Sequence, residues 1–412
     1  TGGAIDVLGQ RVGLLDSALD ASGTNGGGHV RIGGDFQGDG PIANAERTYI
    51  SEDSTIAADA LTTGDGGQVI VWADEATQFL GDISARGGSE AGNGGFVEVS
   101  GAENLVFEGN VNTTAVNGTN GQLLLDPRSV YICNDALSCS TPDGFDFDDT
   151  VLGNVLSDGE IQQGEGIPSS NFLISPAQVL NALLQGDVII AAARDIRVRS
   201  DVEVSDSNVG GSLSLTAPTI DIGANITLGT GNLILTAKDG SNGFSSFPAD
   251  RVNIAGDIRS NDGNVEVEAP QTDLAASITV GEGDITFSSP VSLGLGQPSR
   301  FGRFLLRGIL LTGDNITFSD TLDATSSDFD NSVLEISASG SFTANDFQSS
   351  ENSSFLYIND SRSTTIGASG NLILNVFEIS GDERVSLSST GGNISLTGDP
   401  RGGFSDPSVN SN

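Results

Sequence analysis

The stretch GGSLSLTAPTIDIGANITLGTGN, residues 210–232, decides the fold. Two glycines are followed by SLSL, then TIDI, then NITL, and the chain returns to Thr-Gly-Asn. Each short run alternates apolar with polar residues, the period of a strand with one buried face. Gly, Pro and Asn stand between the runs, where bends need them. From Gly211 to Gly231 the chain therefore completes three short strands and three corners, which describes one lap of a coil.

The same unit recurs along the chain. It is written GGAIDV at 2, GGHVRI at 27, GGQVIV at 66, GGFVEV at 94 and NGQLLL at 120, and again as DGNVEV at 262, EGDITF at 282, GDNITF at 313, SGNLIL at 369 and GGNISL at 391. Gly283 follows Gly263 at the same spacing, so the lap is expected to hold about 20 residues, with insertions falling at corners. One lap cannot bury Leu213, Leu215, Ile220, Ile222, Ile226 and Leu228 by itself. A neighbouring lap stacked in register covers them and pairs the backbone, and with no helix between successive strands the pairing must be parallel.

The expected fold is all-β, a right-handed parallel β-helix, or solenoid, of three short strands per lap. Asn225, Asn232, Asn264, Asn315, Asn371 and Asn393 each stand at the entrance to an aliphatic strand, where stacked asparagine ladders are expected.

Composition agrees with a thin, turn-rich molecule. Of 412 residues, 56 are Gly, well above the usual share of about 7%, and only 6% are aromatic. The net charge of -38 disfavours nucleic acid and anionic lipid as partners. No apolar run reaches the length of a spanning helix.

The rhythm breaks between Pro127 and Gly186. CNDALSCSTPDGFDFDDT is acidic and irregular, and ISPAQVLNALLQG follows it with helical periodicity. Ser175 is placed as N-cap and Pro176 at the first helical position. Val179, Leu180, Leu183 and Leu184 form one apolar stripe, and Gly186 lies past the end. The sequence thus divides into a β-helix block over 1–127, an insertion over 128–186 carrying a helix at 175–185, and a second β-helix block over 187–412. The helix is expected to cover strand edges that would otherwise invite aggregation, or a seam between two β-helical rods, rather than to dock a partner.

Candidate sites are few. His29, the single histidine, takes the variable slot filled by Gln68, Phe96 and Gln122 in sister repeats, which reads as an inert surface position. Cys133 and Cys139 read as a disulfide pinning one small loop in an oxidising compartment. Asp143, Asp146, Asp148 and Asp149 read first as a solvated acidic loop, with a calcium site as the second reading. Catalysis by them is disfavoured, because adjacent Asp148 and Asp149 point to opposite sides of an extended segment. No cofactor other than calcium is expected.

For ligand binding, Trp72 and Phe79 flank one strand as a candidate sugar-stacking platform. Arg194, Arg197 and Arg199 alternate with Ile196 and Val198 as an outward basic row. That row would grip acidic glycans or, on the plainer reading, neutralise stacked acids.

The stretches GGDFQGDGPIANAERTYI, GDGGQVIVWADEATQFLGDISARGG and GGFVEVSGAENLVFEGNVNTTAVNGTNGQLLLDPRSVYI together resemble the secreted exoproteins of bacterial two-partner secretion, the filamentous haemagglutinin-like family. The resemblance covers residues 1 to about 235, and beyond that only the repeat style continues. It implies a β-helical rod exported through a dedicated outer-membrane transporter and displayed on, or released from, a Gram-negative-type cell as an adhesin. The family's secretion-domain signature, Asn-Pro-Asn-Gly, is not visible, so the chain is expected to be a middle or C-terminal piece of a longer precursor.

The expected function is a non-enzymatic, extracellular adhesin or surface-fibre segment that binds a surface glycan or protein receptor. A self-assembling extracellular filament subunit is the first alternative, and a polysaccharide-active β-helix enzyme is the second.

Overall fold

The computed structural model describes residues 1–134, 172–204, 210–238, 250–294, 298–301, 304–324, 333–348, 355–368, 372–389 and 394–398. It is a parallel β-helix, mostly strand with one short helix. The chain forms two units, Thr1–Pro218 and Thr219–Asn412, and the expected insertion over 128–186 belongs to the first of them.

In the first unit the laps have three faces. Face one stacks Ala4–Val7, His29–Ile32, Gln68–Val71, Phe96–Val99, Gln122–Leu125 and Asp187–Ala191, all parallel. Face two stacks Arg11–Leu14, Arg47–Ile50, Ala76–Phe79 and Asn104–Phe107. Face three stacks Ala18–Asp20, Thr55–Ala57, Asp82–Ser84 and Asn110–Asn112. The strands hold three to five residues because each must end at a corner.

Alternation places the core as expected. Val30, Ile32, Val69, Val71, Val97 and Val99 are fully buried. Each such side chain taken wholly out of water stabilises the fold by about 1.5–3 kcal/mol before entropy is counted. Phe79 and Phe107, 28 residues apart on face two, stack inside the coil with ring centroids 5.6 Å apart.

Lap length in the first unit departs from the expected 20 residues. Asp6 and Arg31, hydrogen-bonded across one lap, are 25 apart; Asn25 and Thr63 are 38 apart, and Asp82 and Asn110 are 28 apart. The strands stay short, and the surplus lies in corners. The longest of these three laps carries its surplus between Gly33 and Glu46, a segment that folds back over face one.

Faces two and three stop at Phe107 and Asn112, and the helix Pro176–Leu183 sits at that end. Ser175 caps it, accepting the Gln178 N–H, while the Gln178 side chain accepts the Ser175 N–H at 2.8 Å. This reciprocal pair satisfies two donors that a helix start leaves bare. The Gln178 side-chain amide also donates to the Phe107 carbonyl at 2.5 Å, and Asn181 donates to the Asn110 side chain at 2.9 Å. The helix thus covers the Phe107 and Asn110 edges and packs as well against Asp187–Ala191 and Val202–Glu203. Its buried face is shifted from the expected one: Pro176, Val179, Ala182 and Leu183 are buried, whereas Leu180 is half-buried and Leu184 is 46% exposed. The helix ends at Leu183, so Leu184 turns away from the packed side.

The second unit repeats the plan. Val252 pairs with Thr272, Ile258 with Ile278 and Val265 with Ile285, on three successive faces. Successive rungs at one corner are 32, 20, 31 and 26 residues apart, so the 20-residue lap at Gly263–Gly283 stands beside longer ones; the strands Leu213–Thr216 and Leu233–Thr236 of the Gly211–Gly231 lap also pair. Phe287 and Phe318 stack face to face inside this unit, 4.8 Å apart and 5° from parallel. Phe342 meets Phe318 edge-on at 6.3 Å. Pro298–Phe301 and the start of the strand Phe304–Gly313 form an antiparallel hairpin at a corner. Further along, strands lengthen to 14 residues at Phe355–Ala368 and 18 at Leu372–Ser389, with register shifts between them.

Candidate functional site

The outer side of face one in the first unit gathers the features that act on solvent. In register along it stand His29, Gln68, Phe96, Gln122 and Asp187. The sequence already aligned the first four as the slot after each glycine pair. Beside this column the pairs Gly27–Gly28, Gly66–Gly67 and Gly94–Gly95, with Gly121, form the floor of an open groove of about 570 Å³. Asn93, Thr119 and Asn120 complete its wall.

Glycine is required on this floor because the backbone crosses there at close range. A Cβ on Gly94 would lie 1.8 Å from the Thr113 carbonyl oxygen, and one on Gly27 would lie 2.0 Å from that of Ala58. The result is a channel without side chains, running across several laps beside a column of amide, aromatic, imidazole and carboxylate groups. Chemically it offers hydrogen bonds and one ring face to an extended chain.

The second column of face one is closed to solvent. Ile70, Glu98 and Leu124, neighbours in register, are 1%, 0% and 5% exposed although they point outward. Residues 33–40 cover this part of the sheet. Phe36 meets Phe96 edge-on at 5.8 Å. The Gln37 N–H donates to both oxygens of Glu98, at 3.2 and 3.1 Å, and the Gln37 side chain donates to Asp126 at 3.1 Å. Burial pushes the Glu98 carboxyl up to about 7; the Asp126 and Asp35 charges add to this, while the Gln37 N–H and Ser100 oppose it. Asp126 is raised as well, again by burial, and the Gln37 amide opposes the shift.

Trp72 lies beneath the same segment and is 6% exposed. Its side chain points away from Val69 and Val71, as alternation requires, but Gly34 and Gly38 lie against the indole. The indole N–H donates to Asp74 at 3.0 Å. Phe79 is fully buried in the coil interior. The expected sugar-stacking platform of Trp72 and Phe79 is therefore not formed: a corner from the preceding lap covers one ring, and the other faces inward.

Arg197 and Arg199 do alternate with buried Ile196 and Val198. Arg197 pairs with Asp195 at 2.8 Å and lies over the Tyr131 ring, 5.4 Å from its centroid, which is the neutralising role rather than a bare basic row. Arg194 and Arg199 are half-buried. Cys133 is fully buried beside Tyr131 and Leu173, and Cys139 lies outside the described residues. Asp143, Asp146, Asp148 and Asp149 lie outside them as well. Among the described residues no group of three or more His, Cys, Asp or Glu side chains is placed to hold a metal ion, and no helix is long and apolar enough to cross a membrane.

The chain matches no protein-family model and no curated protein sequence.

Proposed function

We propose that the chain is a segment of an extracellular, non-enzymatic β-helical adhesin or surface fibre, which presents a repetitive face to an extended glycan or a protein receptor. The observation supporting this reading is the register of His29, Gln68, Phe96, Gln122 and Asp187 beside a glycine-floored groove. A shallow channel that repeats from lap to lap suits a polymer gripped at many weak points, whose affinity grows with the number of laps engaged. Export through an outer-membrane transporter, display at the cell surface and a Cys133–Cys139 bridge belong to the same proposal.

The test is retention on an array of extended polysaccharides and immobilised surface proteins. The wild-type chain is expected to bind at least one class, and Phe96→Ala, which removes the only ring of the groove column other than His29, is expected to lose most of that retention. Binding that is absent, or equal in the variant, would reject this face as the adhesive surface.

A further inference from the structure

Three carboxylates converge on one eight-residue segment. Glu98 is fully buried on the outer side of its strand, where alternation normally puts a solvated residue, and both its oxygens take the same Gln37 N–H. Asp126 holds the Gln37 side chain. Asp35 begins the segment and accepts from the N–H of Phe36 at 2.9 Å. Among the described residues no cation stands next to Glu98 in register: its lap neighbours Ile70 and Leu124 are apolar. The nearest arginine in that column, Arg31, is held by Asp6 at 2.8 Å and by Asp35 at 2.9 Å. Asp74 is taken by Trp72 and Asn44.

Residues in the left-handed region bound and bend the segment. Gly33 and Gly38 have positive φ values of 78° and 67°, and Gln37, at 52°, shares the left-handed region that disfavours a side chain. Gly33 anchors one end, its N–H donating to the Val7 carbonyl at 3.0 Å, and Arg31 holds Asp35 at 2.9 Å. Beyond Asp35 the segment meets later laps through the Gln37 bonds to Glu98 and Asp126, through Phe36 on Phe96 and through Gly38 on the indole of Trp72, while Asn44 of the same corner holds the Gly38 carbonyl at 2.9 Å.

We propose that residues 33–40 are a strap that closes over the outer face of the first unit when Glu98 is protonated and lifts from it when Glu98 ionises. Closed, the strap covers Trp72, Ile70 and Leu124. Open, it uncovers an apolar patch beside the groove. The direction follows from linkage. Glu98 binds its proton more tightly in the closed form, near 7, than in the open form, where water restores the ordinary value of 4.5. Closure is favoured fully below the lower value, and the advantage is lost as pH rises to the upper one.

Trp72 is the only tryptophan and lies under the strap, so it reports the opening directly. Quenching of its fluorescence by acrylamide, a neutral probe insensitive to the protein's charge, is measured from pH 4 to 9. The strap's opening constant is expected to rise with pH, by up to about 300-fold in total from well below 4.5 to well above 7, the ratio set by those two values, and to level off above. Glu98→Gln is expected to remove most of the rise, leaving only the smaller part that Asp126 carries at lower pH, and Asp126→Asn to move its upper limit to lower pH. Should Glu98→Gln fail to fold, amide exchange in the wild type decides instead. After correction for intrinsic rates, residues 33–40 must gain exchange over that window while Gln68–Val71 stay protected. A flat quenching profile, an unchanged rise in Glu98→Gln, or parallel loss of protection in both segments would overturn the strap.

Discussion

The Asn264 side-chain carbonyl accepts the backbone N–H of Asp284, one lap further on, at 2.9 Å. The same bond continues in both directions at this corner. Asn264 N–H donates to Asn232 Oδ1 at 2.8 Å, Asn315 N–H to Asp284 Oδ1 at 3.0 Å, and Ser341 N–H to Asn315 Oδ1 at 3.1 Å. A neighbouring corner does the same with Asn225, Asp257 and Ser277. Each side chain satisfies the backbone donor that a bend would leave unpaired. The lap above is thereby fixed in register whatever its loop length.

Asn264→Ala should break one rung of this relay and leave the Asp284 N–H without its partner, at a cost of about 1–2 kcal/mol. Asn264→Asp should be nearly neutral, since Asp284 fills the same role one lap on. Amide exchange at residue 284 reads the difference locally. That is the suitable measurement for a repeat protein whose unfolding need not be all-or-none.

Gly94→Ala should be severely destabilising, because the added methyl would lie 1.8 Å from the Thr113 carbonyl and 2.2 Å from the Gly121 nitrogen. Gly3→Ala meets nothing within 4 Å and should change stability by no more than about 0.5 kcal/mol. Urea midpoints of the two variants, compared with wild type, check the contrast. Equal midpoints would mean that the corners do not cross as described.

Ser175→Ala should cost about 1 kcal/mol through the lost helix cap. Gln178→Ala should cost more, since Gln178 also reaches the Phe107 carbonyl on the terminal rung. If the helix guards strand edges, Gln178→Ala should increase aggregation on heating more than Ser175→Ala does, as followed by light scattering.

The repeat told a reader of the sequence which residues would share a column. Gly-Gly before His29, Gln68 and Phe96, and Asn-Gly before Gln122, places all four in one row, and the structure pairs them in that order. The asparagine ladder was legible for the same reason at Asn225, Asn232, Asn264 and Asn315; Asn371 and Asn393 lie outside the described residues. Ser175 and Pro176 gave the helix start because capping is local.

What covers a column was not legible. Alternation says that Trp72 and Glu98 point outward, but their burial comes from a corner inserted in an earlier lap, a tertiary contact with no local signal. One hint did stand in the sequence. GGDFQGDG at 33–40 carries four glycines where a plain corner needs fewer, and two of them, Gly34 and Gly38, give Trp72 room beneath the backbone. The 20-residue lap holds at some rungs and not at others because, as the sequence predicts, corners accept insertions while strands stay short.

Register between laps carries the whole account, and a pair of engineered cysteines measures it. Asp82 and Asn110 are exposed partners on adjacent laps, 28 residues apart, within the Cα separation a disulfide tolerates for paired strands. With Asp82→Cys and Asn110→Cys together, mild oxidation and peptide mapping should recover a bridge between positions 82 and 110. Asp82→Cys with Asn112→Cys, two residues out of register, should give little. Equal bridging in both pairs, or bridging in neither, would contradict stacked parallel laps.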